Sequence, residues 1–208
     1  MGARCERAVR VAFQAYWDAA LPVVGEVGSV DAQIDRDEVD IRTLVLRILA
    51  LRQPVARDLR FLATALRLIT DLERVGDEAV NITERITVGD EEAKTSVGDL
   101  LPAMSDDAQD MLRVTLQAFV DEDADVAASV LVRDDAVDKR CAEVMKTMIG
   151  HIAAHPKAAA AGLRVIRTAK HLERIADHAT NVAEEVIFMV RGDDVRHARG
   201  ARSDRPNR

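Results

Sequence analysis

The sequence contains few of the residues that end helices or build sheets. Its 208 residues include ten Gly, five Pro and only one Trp, one Tyr and four Phe. Gly and Pro mark most turns, and aromatic residues are typical of strands, so their scarcity disfavours a fold rich in sheet. Apolar residues still make up 48% of the chain, which is enough to bury a core. We therefore predict an all-α globular protein.

Other absences narrow the class of protein. Apolar stretches such as 186–190 are far shorter than the roughly 20 residues that span a bilayer, and no secretory signal follows the charged N-terminus. We therefore expect a cytoplasmic protein that meets membranes only indirectly. Cys5 and Cys141 lack the paired spacing of a disulfide framework or a zinc site. The net charge of −7 argues against nucleic acid as a partner, because that affinity depends on clustered Lys and Arg.

The few turn signals divide the chain into helices. A proline is favourable in the first turn of a helix, and Pro22, Pro54, Pro102 and Pro156 each fit such a position. The predicted six helices span about 3–19, 22–51, 54–87, 102–120, 124–152 and 156–191.

The second half of the chain repeats the first. Residues 72–84 (LERVGDEAVNITE) and 172–184 (LERIADHATNVAE) are identical at seven of thirteen positions, at an offset of 100. Upstream, Asp31 and Asp35 correspond to Asp134 and Asp138 at an offset of 103. The duplication predicts two tandem three-helix bundles, because three such helices close into a bundle. We place the bundles at 1–89 and 101–191, with a linker at 90–100 and a disordered tail at 192–208.

Acidic residues form a stripe on one helix of each repeat. Glu73, Asp77, Asn81 and Glu84 share one face of a helical wheel, roughly opposite the apolar stripe that must face the bundle interior. The same pattern recurs at the matching positions of the second repeat, Glu173, Asp177, Asn181 and Glu184. The stripes should therefore face outward.

A neighbouring helix in each repeat carries a second acidic pair with i, i+4 spacing. These pairs are Asp31 with Asp35 and Asp134 with Asp138. If the two helices of a repeat pack side by side, four carboxylates converge, and a cation would relieve their repulsion. Oxygen ligands suit divalent cations such as Mg²⁺ or Mn²⁺, and clustered carboxylates on helices also hold iron. The alternative is a solvated acidic surface that pairs with Arg74 or Arg85.

The duplicated LER[VI]xDxAxN motif and the segment LRQPVARDLRFLATALRLI resemble the PhoU family of phosphate-transport regulators along nearly the whole chain. The resemblance implies two tandem three-helix bundles and a homodimer. It also implies metal ions held on the bundle surfaces, either iron or a divalent ion such as Mg, Mn or Zn. Transferred residue by residue, it implies these metal ligands: Asp31, Asp35, Glu73, Asp77, Asp134, Asp138, Glu173 and Asp177. Asn81 and Asn181 would be neighbours of the two sites.

The resemblance also implies a function without catalysis. Such proteins associate with a phosphate ABC transporter and a sensor histidine kinase, and they keep phosphate-starvation signalling off while phosphate is plentiful. One departure concerns the first predicted helix, which is shorter than the opening helix of the family. That difference implies either a misplaced start or a partly open first bundle with exposed apolar surface.

Two alternatives remain open at this point. A metal-dependent carboxylate enzyme of the ferritin-like oxidase type would project its acids inward and use Glu-x-x-His motifs, whereas the stripes here lack His. A purely structural scaffold would tolerate neutralisation of the acidic pairs. Catalytic motifs of other kinds are absent from the sequence, which has no glycine-rich phosphate loop and no Gly-x-Ser-x-Gly turn. We therefore predict that the protein is not an enzyme.

Overall fold

A computed structural model describes residues 1–19, 24–87, 89–193 and 195. Within these ranges the chain forms seven α-helices and no strand, which confirms the all-α prediction. The helices are α1 (Gly2–Trp17), α2 (Val24–Arg52), α3 (Ala56–Thr83), α4 (Glu91–Ser96), α5 (Leu100–Asp121), α6 (Ala124–Ala154) and α7 (Ala159–Arg191). A short 3₁₀ turn, Pro156–Ala158, precedes α7.

The long helices form two bundles that share one core. Helices α1–α3 pack as the first bundle and α5–α7 as the second, which confirms tandem helical bundles. The apolar stripes of α3 and α7 are buried, for example at Leu72 and Leu172. Helix α3 also packs directly against α7, and the buried residues of both bundles belong to one continuous cluster. The two repeats therefore meet along the helices that carry the LER motifs.

Two helix ends show how local sequence sets the boundaries. The Asp123 carboxylate caps α6 by accepting hydrogen bonds from the backbone N–H groups of Asp125 and Val126 at 2.9 and 3.0 Å. Gly192 ends α7 in the left-handed region, at φ 80°, which a glycine adopts without steric cost.

The prolines open helices less uniformly than predicted. Pro102 lies in the first turn of α5, but Pro156 opens the 3₁₀ turn before α7, and α3 begins only at Ala56, after Pro54. The prediction of Pro54 as a first-turn residue was wrong, because the N-cap of α3 is Val55, in an extended conformation, and Pro54 precedes it. Pro22 lies outside the described residues.

The segment predicted as a linker contains a seventh helix, α4. Buried side chains of Ala93 and Val97 hold this segment against the rest of the protein. Lys94 donates hydrogen bonds to the carbonyls of Tyr16 and Trp17, at 2.5 and 3.1 Å. Only six residues long, α4 is too short to show helical periodicity in the sequence. The bundle boundaries at 89 and 101 stay a prediction, and most of the predicted tail at 192–208 lies outside the described residues.

The outer end of the first bundle exposes apolar side chains. Helix α1 begins level with Asp37, which pairs with the Met1 amino group at 3.0 Å, so the last turns of α2 extend beyond α1. Leu51 and Val55, at the connection to α3, are 73% and 74% exposed. Leu44, Leu46 and Leu59 are also exposed. Apolar side chains are also exposed in the second bundle, such as Val132 at 76%, so the partly open first bundle stays a prediction.

Candidate metal-binding clusters

The predicted ligands of each repeat lie on two helices that pack side by side. In the first bundle they are on α2 and α3, and in the second they are on α6 and α7. Their side chains line the groove between the paired helices, where most of them are partly shielded from water. We call Asp31, Asp35, Glu73 and Asp77 the first cluster, and Asp134, Asp138, Glu173 and Asp177 the second cluster.

The first cluster contains a buried oxygen atom without a hydrogen-bond partner, Oδ1 of Asp31. It lies against Gly76 on α3, where an added Cβ would come within 2.7 Å of it. Partial burial, together with the charges of Asp35 and Asp77, raises the pKa of Asp31 to about 6. Burial and the neighbouring Asp77 also raise the pKa of Glu73. The carboxylates of this cluster are thus close enough to raise one another's pKa.

In the second cluster three aspartates converge. Carboxylate oxygens of Asp134, Asp138 and Asp177 lie within 4.8 Å of one another. Among the described residues, this is the only set of three acidic, His or Cys side chains with such close ligand atoms. Partial desolvation and then the charge of Asp134 raise the pKa of Asp177 to about 6, and the same two causes raise the pKa of Asp138.

Two further side chains distinguish the second cluster from the first. The Thr180 hydroxyl donates a hydrogen bond to Oδ1 of Asp134 at 3.2 Å, and the matching residue of the first repeat is Val80. The Glu173 carboxylate accepts a hydrogen bond from Nζ of Lys170 at 2.5 Å. Glu173 is therefore paired with a cation of the protein, whereas the three aspartates face one another.

The donor atoms fit hard cations. All eight predicted ligands are carboxylates, which divalent Mg, Mn or Ca and iron accept. The buried Oδ1 of Asp31 and the space provided by Gly76 are consistent with an oxygen ligand directed into the first cluster. Cys141, near Glu173, has a pKa raised to about 11 by burial, so its thiol is neutral and is a poor ligand. The assignment of these eight residues as ligands stays a prediction.

The outward orientation predicted for the acidic stripes was wrong at one end of α7. Glu84 is exposed, but Glu184 is buried because α7 packs against α3 along this face. Asn181, predicted as a neighbour of the second site, instead donates a hydrogen bond to Asp71 of the first bundle at 3.2 Å. A helical wheel cannot show this contact, because it treats each helix alone.

Two acid–histidine pairs join the bundles across α3 and α7. His171 Nδ1 donates to Glu78 at 2.6 Å, and His178 Nδ1 donates to Asp71 at 2.9 Å. Positions 71 and 78 correspond to 171 and 178 at the offset of 100, so the pairs are related by the internal duplication. These pairs were not predicted, although acids and histidines with the same i, i+7 spacing at matching positions are visible in the sequence.

The Glu78–His171 pair is buried, with each residue 8% exposed. Burial alone would raise the pKa of Glu78, but hydrogen bonds and charges from His171 and Arg174 outweigh it and hold this pKa below its usual range. Glu78 is thus ionised at neutral pH and bridges the two bundles. The histidines are engaged with acids of α3 and lie outside the two carboxylate clusters.

A family model described as "PhoU domain" matches residues 1–86 and again residues 101–186. The chain belongs to the PhoU family. The resemblance given by the sequence motifs is confirmed, and the two matches repeat at the offset of 100 that relates the LER motifs.

Relatives of this PhoU-family chain resemble it over most of its length. The "Phosphate-specific transport system accessory protein PhoU homolog" of Pseudomonas aeruginosa is 37% identical over 198 residues, which cover 95% of this chain and 82% of the relative. A protein of the same description from Deinococcus radiodurans is 32% identical over 194 residues, 90% of this chain and 88% of the relative.

Solved structures of PhoU proteins have the same fold. The crystal structure of PhoU from Pseudomonas aeruginosa matches with a TM-score of 0.84 and 34% identity, and the match covers 93% of each chain. The PhoU regulatory protein from Streptococcus pneumoniae also matches with a TM-score of 0.84, covering 93% of this chain and 91% of that one. At 24% identity, the second match supports the fold alone. None of the helices in the described ranges has the length and apolar character needed to cross a membrane.

Proposed function

We propose that this chain is an accessory protein of a phosphate-specific transport system and regulates phosphate uptake. The observation that carries this proposal is the PhoU domain, matched in both repeats. The relatives support it, because their descriptions name accessory proteins of the phosphate-specific transport system and no catalytic activity. The chain then acts by binding partner proteins and not by catalysis.

In this function the chain is an adaptor between the phosphate ABC transporter and a sensor histidine kinase. It is a negative regulator, which represses phosphate-starvation signalling while phosphate is plentiful. An adaptor of this kind reports the state of the transporter only if it binds two transporter or kinase conformations with different affinity. We place this activity in the cytoplasm and assign it to a homodimer. Sedimentation equilibrium would measure the mass of the assembly.

The two carboxylate clusters would hold divalent cations or iron. Repulsion among the converging aspartates of the second cluster and the unpartnered Oδ1 of Asp31 support this assignment. Bound cations would neutralise the grooves between the paired helices and keep those helices together. A ferritin-like oxidase is disfavoured because His171 and His178 pair with acids of the other bundle instead of joining the carboxylates.

The test is a phosphate-starvation reporter in the source organism. We expect deletion of the gene to induce secreted phosphatase activity strongly in phosphate-rich medium, and restoration of the gene to silence it. A deletion strain whose phosphatase activity stays at the wild-type level would contradict the proposal. Restoration with a gene that carries Asp31→Asn and Asp134→Asn tests the two clusters. If the protein is a purely structural scaffold, this variant would repress phosphatase activity as well as the wild type does.

A further inference from the structure

The second cluster has a cation of the protein at its edge, Lys170. This residue lies on α7 one turn before Glu173, and its ammonium donates to the Glu173 carboxylate at 2.5 Å. Its positive charge also reaches Asp138 across the groove on α6 and opposes the upward shift in the pKa of that carboxyl. The ammonium therefore interacts with both Glu173 and Asp138, two of the four predicted ligands of the second cluster.

The first cluster differs at the matching position. The offset of 100 places Thr70 where the second repeat has Lys170, and the neutral Thr70 hydroxyl donates to the carbonyl of Leu66 at 3.3 Å. Glu73 has only a looser contact of 3.5 Å with the neighbouring Arg74, whose side chain is 61% exposed. The duplicated clusters thus have similar carboxylates but different counter-charges.

We propose that the Lys170 ammonium is an internal competitor of divalent cations at the second cluster. It holds Glu173 apart from the three converging aspartates, and it must release Glu173 before that carboxylate can bind a cation. Breaking this ion pair and bringing two positive charges together both oppose metal binding. This inference rests on the proposed metal binding of the clusters, and it assigns to Lys170 the role of setting the affinity of one cluster.

The experiment isolates the second cluster in the full chain by replacing Asp31→Asn and Asp77→Asn. In that background, Lys170→Thr introduces the residue of the first repeat, and Lys170→Met keeps the length of the side chain without its charge. Metal-free protein is titrated with Mn²⁺ at neutral pH and low salt, and free Mn²⁺ is measured by electron paramagnetic resonance. We expect both variants to lower the Kd about tenfold, since one nearby positive charge is removed.

The matched control is Lys146→Thr, which removes the same charge from an exposed position two turns beyond Asp138 on α6. We expect its Kd to change less than about twofold, because salt and water screen distant surface charges. A reciprocal variant, Thr70→Lys with Asp134→Asn and Asp177→Asn, introduces the ammonium beside the first cluster. It should raise the Kd of that cluster about tenfold. Circular dichroism verifies the fold of each variant.

Three results would overturn the inference. An unchanged Kd in both Lys170 variants would show that the ion pair does not compete with the cation, while metal binding itself would stand. An equal gain in Mn²⁺ affinity with Lys146→Thr would show that the change in Kd depends on the net charge of the protein and not on the ion pair of Lys170. If the wild-type chain binds no Mn²⁺, then both the proposed metal binding and the competition by Lys170 are wrong.

Discussion

The Asp31 carboxylate reaches into the first cluster through a gap that exists only because residue 76 is glycine. A Cβ at this position would lie 2.7 Å from Oδ1 of Asp31 and 3.1 Å from Cδ1 of Ile34. The second repeat has Ala176 there, and its matching aspartate is held by Thr180. The two repeats thus position equivalent carboxylates by different side chains.

We expect Gly76→Ala to displace the Asp31 carboxylate and to weaken cation binding at the first cluster about tenfold, a loss of roughly 1.4 kcal/mol. Its effect on stability should be small, because alanine is favoured over glycine in a helix by about 1 kcal/mol and this gain offsets part of the strain. Mn²⁺ titration in a background with Asp134→Asn and Asp177→Asn measures the affinity of the first cluster. Thermal unfolding, followed by circular dichroism, measures the stability.

Ala176→Gly is the control for this substitution. It should lower stability by about 1 kcal/mol through helix propensity alone and leave the affinity of the second cluster unchanged. Undiminished Mn²⁺ binding at the first cluster of Gly76→Ala would show that the space at Gly76 does not position Asp31.

For single side chains, the sequence predicts the helix face on which each one lies but not its contacts across a groove. The i, i+4 spacing of Asp134 and Asp138 places both on one side of α6, as found. Their convergence with Asp177, the hydrogen bond from Thr180 and the ion pair of Lys170 depend on the packing of α6 against α7. Packing angle and depth do not follow from periodicity, so the convergence was predicted only on the condition that the helices pack side by side, and Thr180 and Lys170 were missed.

Helices α3 and α7 are joined by ion pairs from the buried Glu78 to the buried His171 and the exposed Arg174. The folded-state pKa of Glu78 lies below its ordinary value, so the unfolded chain takes up this proton first as the pH falls. The stabilisation is therefore complete at neutral pH and is lost as the pH falls through the folded-state pKa.

We expect Glu78→Gln to lower the free energy of unfolding by about 1–3 kcal/mol at neutral pH. The difference from the wild type should shrink as the pH falls below about 4.5, the usual range of glutamate, because the wild-type carboxylate is then protonated as well. Urea unfolding at a series of pH values measures this. Glu143→Gln, at an exposed position on α6, serves as the control. A loss that stays constant down to pH 3 would contradict this origin of the effect.

At the scale of elements, the long helices follow from the sequence because many turns contribute to one periodic pattern. Five of the six predicted spans agree with α1, α2, α5, α6 and α7 to within three residues at each end. Helix α3 ends at Thr83, four residues earlier than predicted. Helix α4 has too few residues for a pattern, and its position depends on long-range contacts such as the bidentate pair of Arg164 with Asp90 at 2.5 and 2.6 Å.

The whole molecule should unfold as one unit, because the two bundles share a continuous core and the α3–α7 interface. Trp17, the only tryptophan, reports on the first bundle, and Phe188→Trp in a Trp17→Phe background reports on the second. We expect the two fluorescence transitions in urea to coincide with the loss of helical circular dichroism. Separate midpoints for the two probes would show that the bundles unfold independently.

The acid–histidine pairs show how the sequence difference between the two repeats affects the contact between them. In a symmetric pair of identical repeats, position 71 of one would face position 78 of the other. Two first repeats would then oppose Asp71 to Glu78, and two second repeats would oppose His171 to His178. Only unlike repeats combine acid with base, as they do here. The divergence at these two aligned positions therefore favours the pairing of unlike halves over the pairing of two like halves.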